Sequence, residues 1–172
     1  MSEDFALTRL PLQASAEDKA QRYGDLAEQI AAVLEGEANL TARQATVVAM
    51  LAAGFESYFW TGFYLVDPLK PEELVIGPYQ GSLGCLRIAF GRGVCGTAAS
   101  TRRTQIVEDV HAFPGHIACD SRSNSEIVAP VFHPDGTLMG VLDVDSTAIG
   151  AFDTVDAAGL EAILSQVFAR AG

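Results

Sequence analysis

Three cysteines and a small group of acids are the residues of this 172-residue chain whose types and spacing could do chemistry. Cys119 lies near the end of Gly115-His116-Ile117-Ala118-Cys119-Asp120, between the turn signal Phe113-Pro114-Gly115 and a strand that opens at Ser125-Glu126. An odd cysteine count does not suit a secreted disulfide framework, which leaves inert core residue, metal ligand or reactive thiol. We read Cys119 as a nucleophile, with Cys85 and Cys95 available to react with it afterwards. Asp120, its neighbour, opposes ionisation of that thiol. Cys95 falls in the first turn of a short helix, whose positive end favours a thiolate.

The acids come next. In Leu142-Asp143-Val144-Asp145-Ser146 the two-residue spacing puts both carboxylates on one strand face, about 7 Å apart, with Met139 and Val141 before them on that face. Carboxylates that extend an apolar face need compensation. The plain alternative is that they end the strand in solvent or accept from loop amides. Glu126 opens the neighbouring strand and reaches the same place, and three gathered acids raise one carboxyl pKa by mutual repulsion, making a general acid. Trp60 and Tyr64 share a strand face with Gly62 between them, which leaves a shallow aromatic slot unless both simply pack in the core. Beside carboxylates, such a slot suits a thioether at one end and an ammonium at the other.

Two further patterns do not hold up. Gly91-Arg92-Gly93-Val94-Cys95-Gly96 fits the dinucleotide-binding spacing, but its helix is barely two turns and hairpins follow it rather than further βα units. Its glycines instead permit a tight strand-to-helix turn. Zinc would have Cys85, Cys95, Cys119, His111 and His116 to choose from, yet no closely spaced pair anchors a site.

The elements that must position these groups follow from periodicity. Residues 1–14 read as an N-terminal arm and 15–172 as one domain. Helices are expected over Ser15–Glu35, stopped by Gly36, and over Thr41–Ala53, where Thr41-Ala-Arg-Gln44 has capping-box form. Strands are expected at Tyr58–Val66, Leu74–Tyr79, Cys85–Phe90, Thr104–Val107, Ser125–Phe132 and Leu138–Ser146, with a short helix at Gly93–Thr101. Glu108–Asn124 is a long irregular stretch, and loops of that length in a compact domain are usually functional. A last helix, capped by Asp153, runs over Thr154–Arg170. The predicted fold is α+β: a central antiparallel sheet of about six strands, terminal helices on one face and a ligand pocket on the other.

Composition bounds the partners. Lys and Arg number 11 against 22 Asp and Glu, a net charge of −11. No basic run tracks a phosphate backbone or an anionic membrane, no apolar run spans a bilayer, and no leader pattern opens the chain. A cytoplasmic protein without nucleic acid or membrane partners is expected.

Six blocks then carry a family resemblance: Trp60-Thr-Gly-Phe-Tyr64, Gly77-Pro-Tyr-Gln-Gly81, Gly91-Arg-Gly-Val-Cys95-Gly-Thr97, Phe113-Pro-Gly-His-Ile-Ala-Cys119-Asp120, Ser123-Asn-Ser-Glu-Ile-Val128 and Gly140-Val-Leu-Asp-Val-Asp-Ser146. In this order they resemble the free methionine-(R)-sulfoxide reductases, which are single GAF-domain enzymes. The resemblance implies attack by Cys119 on the sulfoxide sulfur, a sulfenic acid, and a disulfide with Cys85, or with Cys95 taking part, that thioredoxin reduces. It matches Glu126, Asp143 and Asp145 to the acids that handle the sulfoxide oxygen and the substrate ammonium, and Trp60 and Tyr64 to the aromatic pocket. It implies no metal and no organic cofactor, and a homodimer is left open. Gly84 departs from the small residue, such as Ala, expected before Cys85, and should only loosen that loop. The rival reading is a GAF module that senses a small molecule without chemistry.

Overall fold

The computed structural model describes residues 8–170. Its elements are α1 (Ala16–Val33), α2 (Leu40–Gly54), β1 (Trp60–Asp67), β2 (Lys70–Gln80), β3 (Arg87–Ala89), α3 (Gly93–Thr101), β4 (Gln105–Val107), β5 (Ser125–Phe132), β6 (Leu138–Ser146) and α4 (Thr154–Leu164). A 3-10 turn covers Val110–Ala112, and α4 passes into a π-helical turn over Ser165–Ala169. The six strands form one sheet in the order β3-β2-β1-β6-β5-β4, every neighbouring pair antiparallel.

Local chemistry sets the element ends. Ser15 caps α1 by accepting from the Asp18 amide, and Asp153 and Asp156 cap α4 reciprocally. The capping box expected at Thr41 is not the one used: α2 opens a residue earlier, with Asn39 accepting from the Ala42 amide. Strand β2 is longer than its apolar run, because pairing with β1 carries its polar first residues. Strand β3 is shorter than expected and leaves Cys85 in the β2–β3 loop. Of the expected arm, residues 1–7 lie outside the described residues, as do 171–172. Leu10 is tied to the domain: its amide donates to the Gly54 carbonyl and its carbonyl accepts from the Glu56 amide, both at 2.9 Å.

The sheet separates two apolar clusters. Phe63, Ile127, Ala129, Val131, Leu142 and Val144 face the helices, against Leu26, Ile30, Val47, Leu51, Leu160 and Ile163. Trp60, Tyr64, Leu74, Val128 and Val141 face the other way, against Val94, Cys95 and Ala98 of α3. Each fully buried Leu, Ile or Val contributes roughly 1.5–3 kcal/mol by transfer from water. The helix side, with most of these, is therefore the stabilising core. Met139 corrects an expectation. The β5–β6 ladder slips so that Val131 faces Gly140 and Phe132 faces Leu138, and Met139, the extra residue, joins the helix-side core, where the Gln44 amide reaches its sulfur at 3.5 Å.

Candidate active site

The sheet register assembles the acids. Trp60 pairs with Asp145 on one side of β6, and Asp145 pairs with Glu126 on the other, so one row across β1, β6 and β5 reads Trp60, Asp145, Glu126. The next row on that face reads Gly62, Asp143, Val128. Trp60, Glu126, Asp143 and Asp145, together with Tyr64, Cys95 and Cys119, line one cavity, roofed by Leu83 and Gly84 of the β2–β3 loop and by His116 and Ile117 of the β4–β5 connection. Every expected site residue except Cys85 lines it, and Cys85 is bonded to Cys119 at its rim.

Gly62 does not leave an open slot. A Cβ there would stand 2.3 Å from the Tyr79 Cβ and 2.6 Å from the Trp60 ring. The Trp60 indole lies over the glycine, stacked on Tyr79 at 5.3 Å and on Tyr64 at 5.7 Å between centroids. The absent side chain thus makes room for the indole, and the indole itself is the pocket wall. Gly84 is equally constrained, since a Cβ would meet Ile76 at 2.7 Å and Trp60 at 2.9 Å. Its departure from the family pattern therefore tightens the loop onto Trp60 instead of loosening it.

The three thiols differ. Cys85 and Cys119 form a disulfide with Cα atoms 5.5 Å apart, Cys119 exposed and Cys85 half-buried. Cys95 is free and buried in α3. The helix-dipole expectation for Cys95 is overturned, because burial and the neighbouring charges of Asp143 and Glu126 push its thiol pKa well up. Its thiol faces Glu126 Oε1 at 3.9 Å.

Burial dominates the acids too. Glu126 is pushed up to about 8 by burial and by the charge of Asp145. Asp143 is raised by burial and by Glu126, and Asp145 by burial and by Asp143. Asp143 Oδ1 is buried without a hydrogen-bond partner, so the pocket holds an acceptor directed at something other than protein. Cys95, Glu126 and Asp143 each offer one donor atom within 4.8 Å of the others, a grouping that fits a small cation. The zinc set weighed from the sequence is not assembled, since two of its cysteines are bonded to each other and His111 pairs with Asp109 on the 3-10 turn.

Two participants were not legible as such. His116 places Nε2 3.3 Å from Glu126 Oε2, and burial lowers its pKa, so a neutral imidazole meets a protonated carboxyl. Ser82 donates to Asp120 Oδ2 at 2.6 Å. Asp120 also receives the Arg122 guanidinium at 2.7 and 3.0 Å, which holds its carboxyl well below the usual range. Beside Cys119 its carboxylate is thus ionised and paired with Arg122. Nearness to Cys119 in the sequence drew notice to His116 and Asp120, and nothing in the sequence signalled Ser82.

Fold and site together define a GAF domain with a cysteine pair at the rim of an acid-lined pocket. The GAF domain family matches residues 44–168. The chain is 44% identical over 150 residues to the free methionine-R-sulfoxide reductase of Escherichia coli, covering 87% of this chain and 88% of the relative. It is 49% identical over 153 residues to GAF domain-containing protein A of Dictyostelium discoideum, covering 89% and 94%. The solved structure of the Neisseria meningitidis free methionine-R-sulfoxide reductase in complex with its substrate superposes with a TM-score of 0.84 at 46% identity, over 94% of this chain and 92% of that one. The chain belongs to the GAF domain family and, within it, to the free methionine-R-sulfoxide reductases.

Proposed function

We propose that this protein reduces free L-methionine-(R)-sulfoxide to methionine, with Cys119 as nucleophile and Cys85 as resolving thiol. One observation carries the reading: a disulfide between Cys119 and Cys85 at the rim of a pocket floored by Glu126, Asp143 and Asp145. In the reduced protein the Cys119 sulfur attacks the sulfoxide sulfur. Glu126, protonated below about pH 8, supplies the proton to the sulfoxide oxygen. Protonation makes the sulfur electrophilic, so the step does not need a strongly acidic thiol. The protonated oxygen then passes to the Cys119 sulfur as its bond to the substrate sulfur and the transient S–S contact break, so methionine leaves, reduced, and Cys119 is left as a sulfenic acid. Cys85 then attacks that sulfur, the S–O bond breaks, the S–S bond forms and water departs.

The unpartnered Asp143 oxygen and the half-buried Asp145 take the substrate ammonium, and Trp60 with Tyr64 takes the thioether end. A peptide-bound methionine lacks that ammonium and would be excluded. In the oxidised state the roof of the cavity carries Cys119, which its bond to Cys85 withholds from any substrate. The β4–β5 connection therefore lifts to admit substrate and settles again as the disulfide forms. The reductant is a dithiol protein of the thioredoxin class: Leu83 and Leu86, 77% and 68% exposed, flank Cys85 and offer apolar surface to a protein rather than to a small anionic thiol. No described helix is long and apolar enough to cross a membrane. We assign residues 15–172 to one domain working in the cytoplasm, with the shallow apolar groove between α1 and α4, lined by Ala20, Gly24 and Ala158, as the surface for a homodimer.

The test is turnover of each epimer of free methionine sulfoxide with dithiothreitol, by wild type and Cys119→Ser. Wild type turns over the R epimer alone and the variant neither. Turnover surviving in the variant would end the nucleophile assignment. No turnover of the R epimer by wild type would return the protein to the sensing reading, in which the cysteines are dispensable.

A further inference from the structure

We propose that Asp120 is a positioning residue for the disulfide step. It docks the loop that carries Cys85 onto the loop that carries Cys119, with Ser82 as its partner. The proposal rests on the function proposed above and adds residues that make no contact with the reacting atoms.

The two thiols reach each other from opposite halves of the sheet. Cys85 follows β2, in the β2-β1 half, and Cys119 precedes β5, in the β5-β4 half, 34 residues away in sequence. Nothing in the strand ladder forces these loops together. What joins them beside the sulfurs is the Ser82 hydroxyl donating to Asp120 Oδ2 at 2.6 Å, three residues from one cysteine and next to the other. The arrangement is braced on both sides. On the Cys85 side, the Trp60 indole N–H donates to the Ser82 carbonyl at 2.8 Å. On the Cys119 side, Arg122 grips Asp120 through Nε at 3.0 Å and Nη2 at 2.7 Å, and its own amide donates to Oδ1 at 2.9 Å. The Arg122 guanidinium lies 4.8 Å over the Phe59 ring. Both braces therefore end on consecutive residues, Phe59 and Trp60, at the start of β1. The Asp120 side chain is 15% exposed, so the Ser82 contact is a charge-assisted hydrogen bond shielded from solvent, the strong kind.

A contact that holds two chain segments in register raises the effective concentration of their reacting groups without touching either. Here it brings the Cys85 thiol to the Cys119 sulfenic acid. The earlier attack on the sulfoxide comes before Cys85 takes part, so the docking of the two loops is read in the second step. The step it serves is balanced: the Cys85 sulfur is oxidised, the Cys119 sulfenyl sulfur is reduced, and the hydroxyl leaves with the thiol proton as water.

The first test needs no substrate. Wild type, Ser82→Ala, Asp120→Asn and Ser82→Thr are equilibrated in dithiothreitol redox buffers, and the Cys85–Cys119 disulfide is scored by thiol alkylation and mass. Ser82→Ala and Asp120→Asn should each lower the disulfide-forming equilibrium constant about tenfold, a shift of ~30 mV. Ser82→Thr, which keeps the hydroxyl, should stay within about twofold of wild type. The second test is a single turnover without reductant. Loss of the second thiol, taken relative to methionine formation in the same protein, should slow about tenfold in Ser82→Ala and Asp120→Asn but not in Ser82→Thr, and a dimedone-reactive Cys119 should accumulate. Equal equilibrium constants in all four proteins, or a Ser82→Thr as impaired as Ser82→Ala, would overturn the proposal. Wild type that forms the disulfide in buffer but yields no methionine would overturn the function and leave the positioning role standing.

Discussion

Glu126 carries its proton into the neutral range because it is buried beside Asp145, and that fixes the sign of a stability effect. Its folded pKa of about 8 exceeds the ordinary 4.5. Between those values the native state holds a proton that the unfolded chain has lost, so unfolding free energy falls as pH rises through the window, by about 1.4 kcal/mol per pH unit at full separation. Below 4.5 and above 8 the effect is flat. Urea titrations of wild type and Glu126→Gln should show wild type losing stability relative to the variant between pH 5 and pH 8, and parallel curves would remove Glu126 as the protonated acid. The same substitution should slow methionine formation by about 10²–10³-fold, measured by single turnover. The acids were legible as a group because strand spacing puts Asp143 and Asp145 on one face and Glu126 opens the neighbouring strand. How strongly each holds its proton was not, since that depends on how deeply each is buried and on the charges of its neighbours.

Among the elements, the β4–β5 connection and the α1–α4 pair make opposite demands. The connection packs on α3 at Gly93, where a Cβ would stand 3.2 Å from Ile117, and in the proposed cycle it rises to admit substrate. Amide hydrogen exchange over residues 110–124 should be faster in the reduced than in the oxidised protein, and equal protection in the two states would count against a moving roof. Helices α1 and α4 are instead fixed. Asp156 is 1% exposed and takes Lys19 and the Tyr23 hydroxyl, each at 2.7 Å, while Tyr23 also meets the Tyr58 hydroxyl at 2.6 Å. Replacing Asp156 by Ala leaves the tyrosine pair one acceptor short and takes from the part-buried Lys19 ammonium its shortest ion pair, and should cost about 3–5 kcal/mol in urea unfolding. Periodicity gave α1, α4 and all six strands close to their places. It missed the Met139 slip because a bulge costs one residue and leaves no compositional mark, and it misplaced the start of α2 because Asn39 and Thr41 are both acceptable caps.

For the molecule as a whole, the cysteine bond links the two halves of the sheet through loops rather than strands. Closing 34 residues stabilises the oxidised form by about 3–4 kcal/mol through the unfolded chain. Oxidised wild type should therefore unfold at higher urea than reduced wild type, and Cys85→Ser should show no such difference with or without reductant. The sheet and its two differently covered faces were readable from hairpin signals and apolar alternation. The closure across the pocket was not, because spacing alone left Cys85 and Cys95 as equal candidates for Cys119. What separates them is place: Cys95 is enclosed in α3 and Cys85 stands on a loop at the rim.

That bond at the rim has an economy of its own. A protein whose entrance is bolted by its own reaction handles one molecule and then waits. Only a supply of electrons from outside readies it for the next. While it waits, Cys119, the proposed nucleophile, is capped, and an oxidant that would drive a lone sulfenic acid on to an irreversible state finds it already spoken for. A repair catalyst that operates when oxidants are abundant is thereby spared during the interval in which it would be easiest to destroy.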